Sequence, residues 1–162
     1  MSNVHLYLRI NGNDIEGEST VTSLERAGSI ECESFFYELS TPRAQATGAL
    51  TGRRQHGPLT CVKRVDKTSP LLLKALCQNE SIEGEFRFFG PNPMGDGSEM
   101  HIYTVGFRTA YVSDVREELW SDQPMNSQSN PLMERVSFVF QDIRWVWQAN
   151  GAEHMDSWRG EA

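Results

Sequence analysis

The stretch LTGRRQHGPLT, residues 50–60, sets two adjacent arginines and a histidine between glycines and just ahead of a proline. Guanidinium and imidazole groups can cradle an anion, and the same groups can knit a structural joint through charge-assisted hydrogen bonds. An anion site needs converging donors, and no helix amino terminus is signalled beside this stretch to supply them. Carboxylates come in pairs: IEGE occurs twice, so that in extended chain Glu16 and Glu18 share one side, as do Glu83 and Glu85. Such pairs can do acid–base work. No histidine or nucleophile lies in register with them, however, and glutamates beside a turn glycine are ordinarily solvated. His5, His56, His101 and His154 form no metal-ligand spacing. MGDGSE, residues 94–99, lacks the lysine and hydroxyl pair of a phosphate loop and reads as a hairpin tip. Trp145 and Trp147 offer either an aromatic platform or core packing, and large aromatics dominate the cores of small β domains. Neither catalytic residue, metal nor cofactor is expected.

The chain that must position these groups has 162 residues, the size of one domain, and 23% charged residues with a net charge of −7. That acidity argues against a general nucleic-acid partner, since phosphate binding needs a concentrated basic surface. No apolar run reaches bilayer length, so membrane insertion is not expected. The amino terminus alternates like a strand and shows no basic leader with an apolar core, which places folding in the cytoplasm. Cys32, Cys61 and Cys77 are odd in number and widely spaced, as reduced, mostly buried thiols would be. Three lysines stand against twelve arginines, a weak lean towards protein interfaces.

Val4, Leu6, Leu8 and Ile10 alternate with polar neighbours and end at the turn signal NGND, which predicts a first strand. Further strands are expected in SIECESFFYELS, PLTCVKRV, IEGEFRFFG, HIYTVGFRTAYVSDV and ERVSFVFQDIRWVW. One helix is expected in SPLLLKALCQN, with Ser69 as N-cap and Pro70 at the first helical position. Long polar segments, residues 41–57, 91–99 and 116–131, read as loops. In the last strand Val136, Phe138 and Phe140 share one parity, whereas Ile143, Trp145 and Trp147 share the other. A bulge or bend at Gln141–Asp142 would keep all of them inward; a strand apolar on both faces is the alternative. The fold class expected is mainly β, a small tight, sandwich-like β-barrel with one short flanking helix.

Four motifs resemble the haemolysin-coregulated protein (Hcp, TssD) family, which builds the inner tube of the bacterial type VI secretion system. They are GSIE (Gly28, Ser29, Ile30, Glu31), the TGxRxHxP-like run with Gly52 and Pro58, Asp66 followed by Ser69, Pro70 and an apolar run, and the closing HMDSW with His154, Asp156, Ser157 and Trp158. The TGxRxHxP-like run and the closing HMDSW are similar to patterns of the enteric-type branch, and the four motifs stand in the family's order from Val4 to Trp158. The resemblance implies a non-enzymatic subunit of a homohexameric ring. Such rings stack into an expelled tube that carries or shelters effectors in its lumen and meets sheath and spike components. It implies cytoplasmic assembly followed by secretion. It also implies that an extended loop reaches a neighbouring protomer or ring, through Thr41, Pro42, Arg43, Gln45, Thr47, Thr51, Arg53, Arg54 and His56. Residues 149–162 would form a tail held by Trp158. The runner-up reading is a β-barrel module binding a small ligand in its interior.

Overall fold

The computed structural model describes residues 3–119 and 132–158. β1 (Val4–Ile10) sends Leu6, Leu8 and Ile10 into the core, as its alternation requires. It turns at Asn11 and Gly12, both in the left-handed region, into the short β2 (Asn13–Ile15). A buried third strand, β3 (Ile30–Cys32), pairs with the first half of β1, and after a bend at Glu33, β4 (Ser34–Phe36) pairs with β7 (Leu59–Arg64). β5 (Leu39–Ser40) and β6 (Gln55–His56) pair only with each other. Beyond α1 (Ser69–Cys77), the long strands β8 (Ile82–Pro91), β9 (Glu99–Leu119) and β10 (Leu132–Trp147) follow in antiparallel order, and β11 (Ala152–Ser157) lines the far half of β10.

The main ladder runs β1, β8, β9, β10, β7, β4. Because β3 returns to β1 while β4 stays on β7, the single stretch from β3 to β4 touches both edges and draws the sheet round into a barrel. The interior is filled. Phe107 lies 5.8 Å from Phe86 and 5.3 Å from Phe138, ring to ring, and all three are buried with Leu6, Ile30, Leu59 and Val136 around them. α1 packs on β9 and buries Leu72 and Ala75.

Several sequence expectations shift in detail. SIECESFFYELS is three short strands rather than one, since the chain must change ladders at Glu33. Residues 116–119, expected as loop, continue β9; residues 120–131 lie outside the described residues. Residues 94–99 do form the tip of a hairpin, with Pro91 paired to Glu99. His5, expected to face outward, is buried: the segment that follows β2 folds across this end of the sheet, and Ser29 Oγ lies 2.7 Å from His5 Nδ1. Ser69 is the first helical residue and Thr68 precedes it as the cap position.

The phase slip in β10 is real, and the inward parity changes across it as far as Ile143 and Trp145, while Trp147 at the strand end is exposed. Phe138, Phe140 and Ile143 are all buried. The pairing with β9 passes from Phe140↔Ala110 to Asp142↔Arg108 and skips Gln141 and Thr109, and Thr109 takes a φ of 49°. A bend carried by the partner strand therefore re-aims β10 at the expected place. A separate bulge sits at Ser137/Phe138.

The repeated IEGE finds its meaning in the glycine. A Cβ on Gly84 would collide with the Tyr7 carbonyl oxygen of β1, and one on Gly17 with the Ser29 carbonyl. Both are sites of close backbone approach. A Cβ on Gly106 would meet only the Arg144 side chain, at an ordinary 3.6 Å. Gly84→Ala is therefore expected to cost about 1–3 kcal/mol through overpacking, whereas Gly106→Ala stays within about 0.5 kcal/mol of the parent, both read by urea denaturation.

Candidate functional site: the base of the arm

Residues 41–54 leave the barrel as an arm whose backbone bonds to itself. Thr51 N–H donates to the Pro42 carbonyl at 3.0 Å and Ala44 N–H to the Ala49 carbonyl at 2.8 Å, with Arg43 and Leu50 bridged between them. Arg43 also reaches the Gly48 carbonyl across the tip, at 3.0 Å. The long loop thus has hairpin order that its polar composition did not announce. Leu50 is 63% exposed, and Gln45, Thr47, Thr51 and Arg53 are exposed with it.

At its base the arm is clamped to the last strand. Arg54 donates through Nε and Nη2 to the two carboxylate oxygens of Asp156, each at 2.6 Å, the planar fork-to-fork pairing that arginine makes best. His56 Nε2 lies 2.7 Å from Asp156 Oδ2, and its Nδ1 lies 2.6 Å from the Tyr37 hydroxyl. An ionised carboxylate only accepts, so His56 donates from Nε2, and in the neutral imidazole Nδ1 then accepts the Tyr37 O–H. The imidazole is buried, with Trp158 edge-on at 5.4 Å, Phe140 also edge-on at 5.4 Å, and Trp145 stacked at 6.4 Å. The Arg54 bonds hold the Asp156 carboxyl far below the usual carboxylate range; burial opposes them and the His56 bond adds to them. Burial first, then the Asp156 charge, pushes the Tyr37 hydroxyl up to about 12. This hydroxyl keeps its proton and is placed to hydrogen-bond His56 Nδ1.

The local folding follows from neighbours. Asp156 is placed by its pairing with Ile143, just past the β10 bend, and Trp158 N–H donates to the Gln141 carbonyl at 2.9 Å. His154 stacks on Trp145 at 5.7 Å and an interplanar angle of 4°. Residues 152–157 are thus a strand, and Trp158 is a half-exposed wedge against His56 rather than a fully sunk anchor. Trp145 packs against the core and Trp147 is 44% exposed.

The other motif residues also meet in space. Lys63, fully buried, pairs with Glu134, also buried, and with Asp66 at 3.0 Å. Ser69 Oγ donates to Glu134 at 2.7 Å and accepts from Asp66 N–H at 3.0 Å, while Asp66 accepts from Thr68 N–H at 2.9 Å. The helix start is so tied to β7 and β10, with Pro70 in its first turn. In GSIE, Gly28 takes a φ of 73°, Ser29 bonds His5, Ile30 fills the core, and Glu31 accepts from Ser19 Oγ at 3.5 Å. Pro58 is exposed and Gly57 N–H donates to the Glu38 carbonyl at 2.8 Å as the chain enters β7. The paired glutamates are engaged by cations: Glu83 by Arg9 at 3.3 Å, Glu85 by Arg87 and by Arg144 at 3.7 Å, Glu16 by Lys67 at 3.9 Å. Glu18 accepts the Lys67 N–H at 3.2 Å.

Lys63, Glu134 and Tyr37 were not singled out in the sequence. The signal was present for two of them. Lys63 shares the inward parity of Leu59 and Cys61, and Glu134 that of Val136 and Phe138, so each is a charge at a core position, which demands a partner.

Residues 7–147 match the family model described as type VI secretion system effector, Hcp. The major exported protein of Pseudomonas aeruginosa strain PAO1 is 30% identical over 128 residues, spanning 78% of this chain and 73% of that protein. A variant of Hcp1 from the enteroaggregative E. coli pathovar 042 superposes with a TM-score of 0.80 at 27% identity, covering 98% of this chain and 99% of the other. A further Hcp crystal structure gives a TM-score of 0.82 at 20% identity, covering 98% of each chain.

The depressed Asp156 carboxyl makes the clamp acid-labile in a defined sense. Its contribution is complete above the unfolded aspartate value, about 3.9, and disappears as pH falls through the lower folded value. Because Trp145 and Trp158 flank His56, tryptophan fluorescence should report this loss on acidification, and Asp156→Asn should remove the transition while keeping the far-ultraviolet spectrum of the barrel.

Proposed function

The chain belongs to the Hcp family of type VI secretion system proteins, and on that premise we propose that it is a tube subunit whose copies close into a six-membered ring. Rings stack head to tail through the arm, and the stacked rings shelter effectors in their lumen. The sheath and spike components of the same apparatus are its further partners, and export follows assembly in the cytoplasm.

What supports this reading is the braced arm. A hairpin that satisfies its own backbone, presents Leu50 to solvent, and is fixed at its base by a bidentate ion pair is built to hold a direction away from its own barrel. Thr41, Pro42, Arg43, Gln45, Thr47, Thr51 and Arg53 are then the residues offered to a neighbour. Arg54 and His56 face inward to Asp156 and act by positioning the arm. The RRQH motif is therefore an intramolecular joint that supports an intermolecular one. Ring closure needs two different faces on each protomer, and it would cover strand edges such as that of β11, which has a ladder partner on one side only among the described residues. The filled barrel interior, with Phe86, Phe107 and Phe138 in mutual contact, weighs against the reading as a small-ligand barrel.

The test is the shape and mass of the purified chain. Negative-stain images should show rings with a central hole, and sedimentation should give a single hexameric species. Replacing residues 44–48 by a two-residue turn should preserve the barrel spectrum and reduce ring stacking. Protomers alone at micromolar loading would contradict the ring, and unchanged stacking by the shortened chain would contradict the role of the arm.

A further inference from the structure

Residues 39–65 contain neither aspartate nor glutamate, the longest such run in a chain that holds 22 of them. The arm, residues 41–54, lies inside this run and carries Arg43, Arg53 and Arg54. It bears three positive charges while the whole chain stands at −7, so the rest of the chain stands at −10. Arg54 is engaged within the protomer by Asp156. The other two are not. Arg43 donates to the Gly48 carbonyl at 3.0 Å, which fixes its guanidinium on the hairpin without matching the charge. Among the described residues no carboxylate lies within ion-pair distance of Arg43 or Arg53, and both side chains are exposed. Elsewhere the protein matches most of its guanidiniums: Arg9 lies 2.9 Å from Asp14, Arg26 2.7 Å from Glu99 and Arg64 3.5 Å from Glu33. Arg108 and Arg135 on the barrel also lack such a partner among the described residues, but only the arm gathers unmatched cations with no acid between them.

We infer that Arg43 and Arg53 dock on carboxylates of a second copy of this chain, so that ring stacking is an electrostatic contact that salt weakens. Leu50, bridged to Arg43 and 63% exposed, is covered by the same contact. Charge complementarity selects the occupant. Two copies at −7 repel each other at a distance, and the arm is the element that turns repulsion into attraction at contact, because it meets a body at −10. Arginine suits the task, since its planar fork pairs with carboxylates and is weakly hydrated. The same attraction would draw the arm down onto the acids of its own barrel. The hairpin order of the arm and the clamp of Arg54 on Asp156 oppose that collapse and keep the two free cations turned away. A polyanion such as nucleic acid is a poorer occupant, because phosphates that reached the arm would also face the acidic body. This contact presupposes that copies close into rings and stack through the arm, and it gives that joint its chemistry.

The full chain is sedimented at rising sodium chloride. The association constant of stacked rings should fall by about tenfold or more as the Debye length shrinks from about 10 Å at 0.1 M to about 3 Å at 1 M, while the hexamer is retained. Arg43→Gln combined with Arg53→Gln should lower the low-salt constant by a similar factor and remove most of the salt dependence, with the far-ultraviolet spectrum unchanged. Arg135→Gln, an exposed barrel arginine that equally lacks a carboxylate, should behave as the parent, which separates the arm from net charge alone. Carbodiimide treatment of mixed isotopically light and heavy Arg53→Lys chains should join position 53 of one chain to an aspartate or glutamate of another. Stacking indifferent to salt and to the double variant, or amides confined within single chains, would overturn the electrostatic contact and leave the tube subunit standing. Nucleic acid retained by the parent and lost by the double variant, with stacking unchanged, would assign the arm to a polyanion and overturn it as well. Protomers alone at low salt would overturn the contact and the tube subunit together.

Discussion

The carboxylate of Asp156 is the point through which the arm, the last strand and the aromatic cluster are held together. It accepts a two-pronged guanidinium from Arg54 and an N–H from His56, while the other nitrogen of that imidazole is hydrogen-bonded to the Tyr37 hydroxyl. A carboxylate that is only 13% exposed would be costly if left alone, and each donor would be costly if left facing apolar rings. Together they satisfy one another. The placement of Asp156 depends in turn on the bend in β10: without the change of phase at Gln141, Ile143 would face outward and its partner Asp156 would move to the wrong side of the ladder.

A second polar knot works at the other end of β10. Lys63 and Glu134 are both out of contact with solvent, and Ser69 and Asp66 supply further bonds to them. An apolar pair of similar volume could pack as tightly, because taking two charges out of water offsets most of their attraction. What the charged pair adds is direction: Ser69 and Asp66 can meet it in only one orientation, which sets where α1 starts and how it lies on β9. In both knots the motif residues fix the geometry of the strands and of the helix start.

The parts of the fold governed by periodicity were legible in the sequence. β1, β7, β8 and the two parities of β10 follow from alternation, and α1 follows from Pro70 and the apolar run behind it. The parts governed by pairing at a distance were not. Nothing local says that one stretch must serve β1 with its first half and β7 with its second, and so SIECESFFYELS reads as a single strand. Nothing local says that Arg54 and Asp156, a hundred residues apart, share two hydrogen bonds. The resemblance placed TGRRQHGP and HMDSW in one family without saying that they touch. The reverse also holds: a lysine at the inward parity of LTCVKR was a readable sign of a buried partner, and the order of the arm was hidden because backbone bonds leave no mark on side-chain composition.

Arg54 and Asp156 act as one unit that fixes the arm to the barrel. A double-mutant cycle with Arg54→Ala and Asp156→Ala, read as the urea midpoint and slope of each chain, measures that coupling. Strong non-additivity is expected, with the double variant losing no more stability than Asp156→Ala alone. Losses that simply sum would mean that the two side chains act independently, and the arm would then have to be oriented by other contacts.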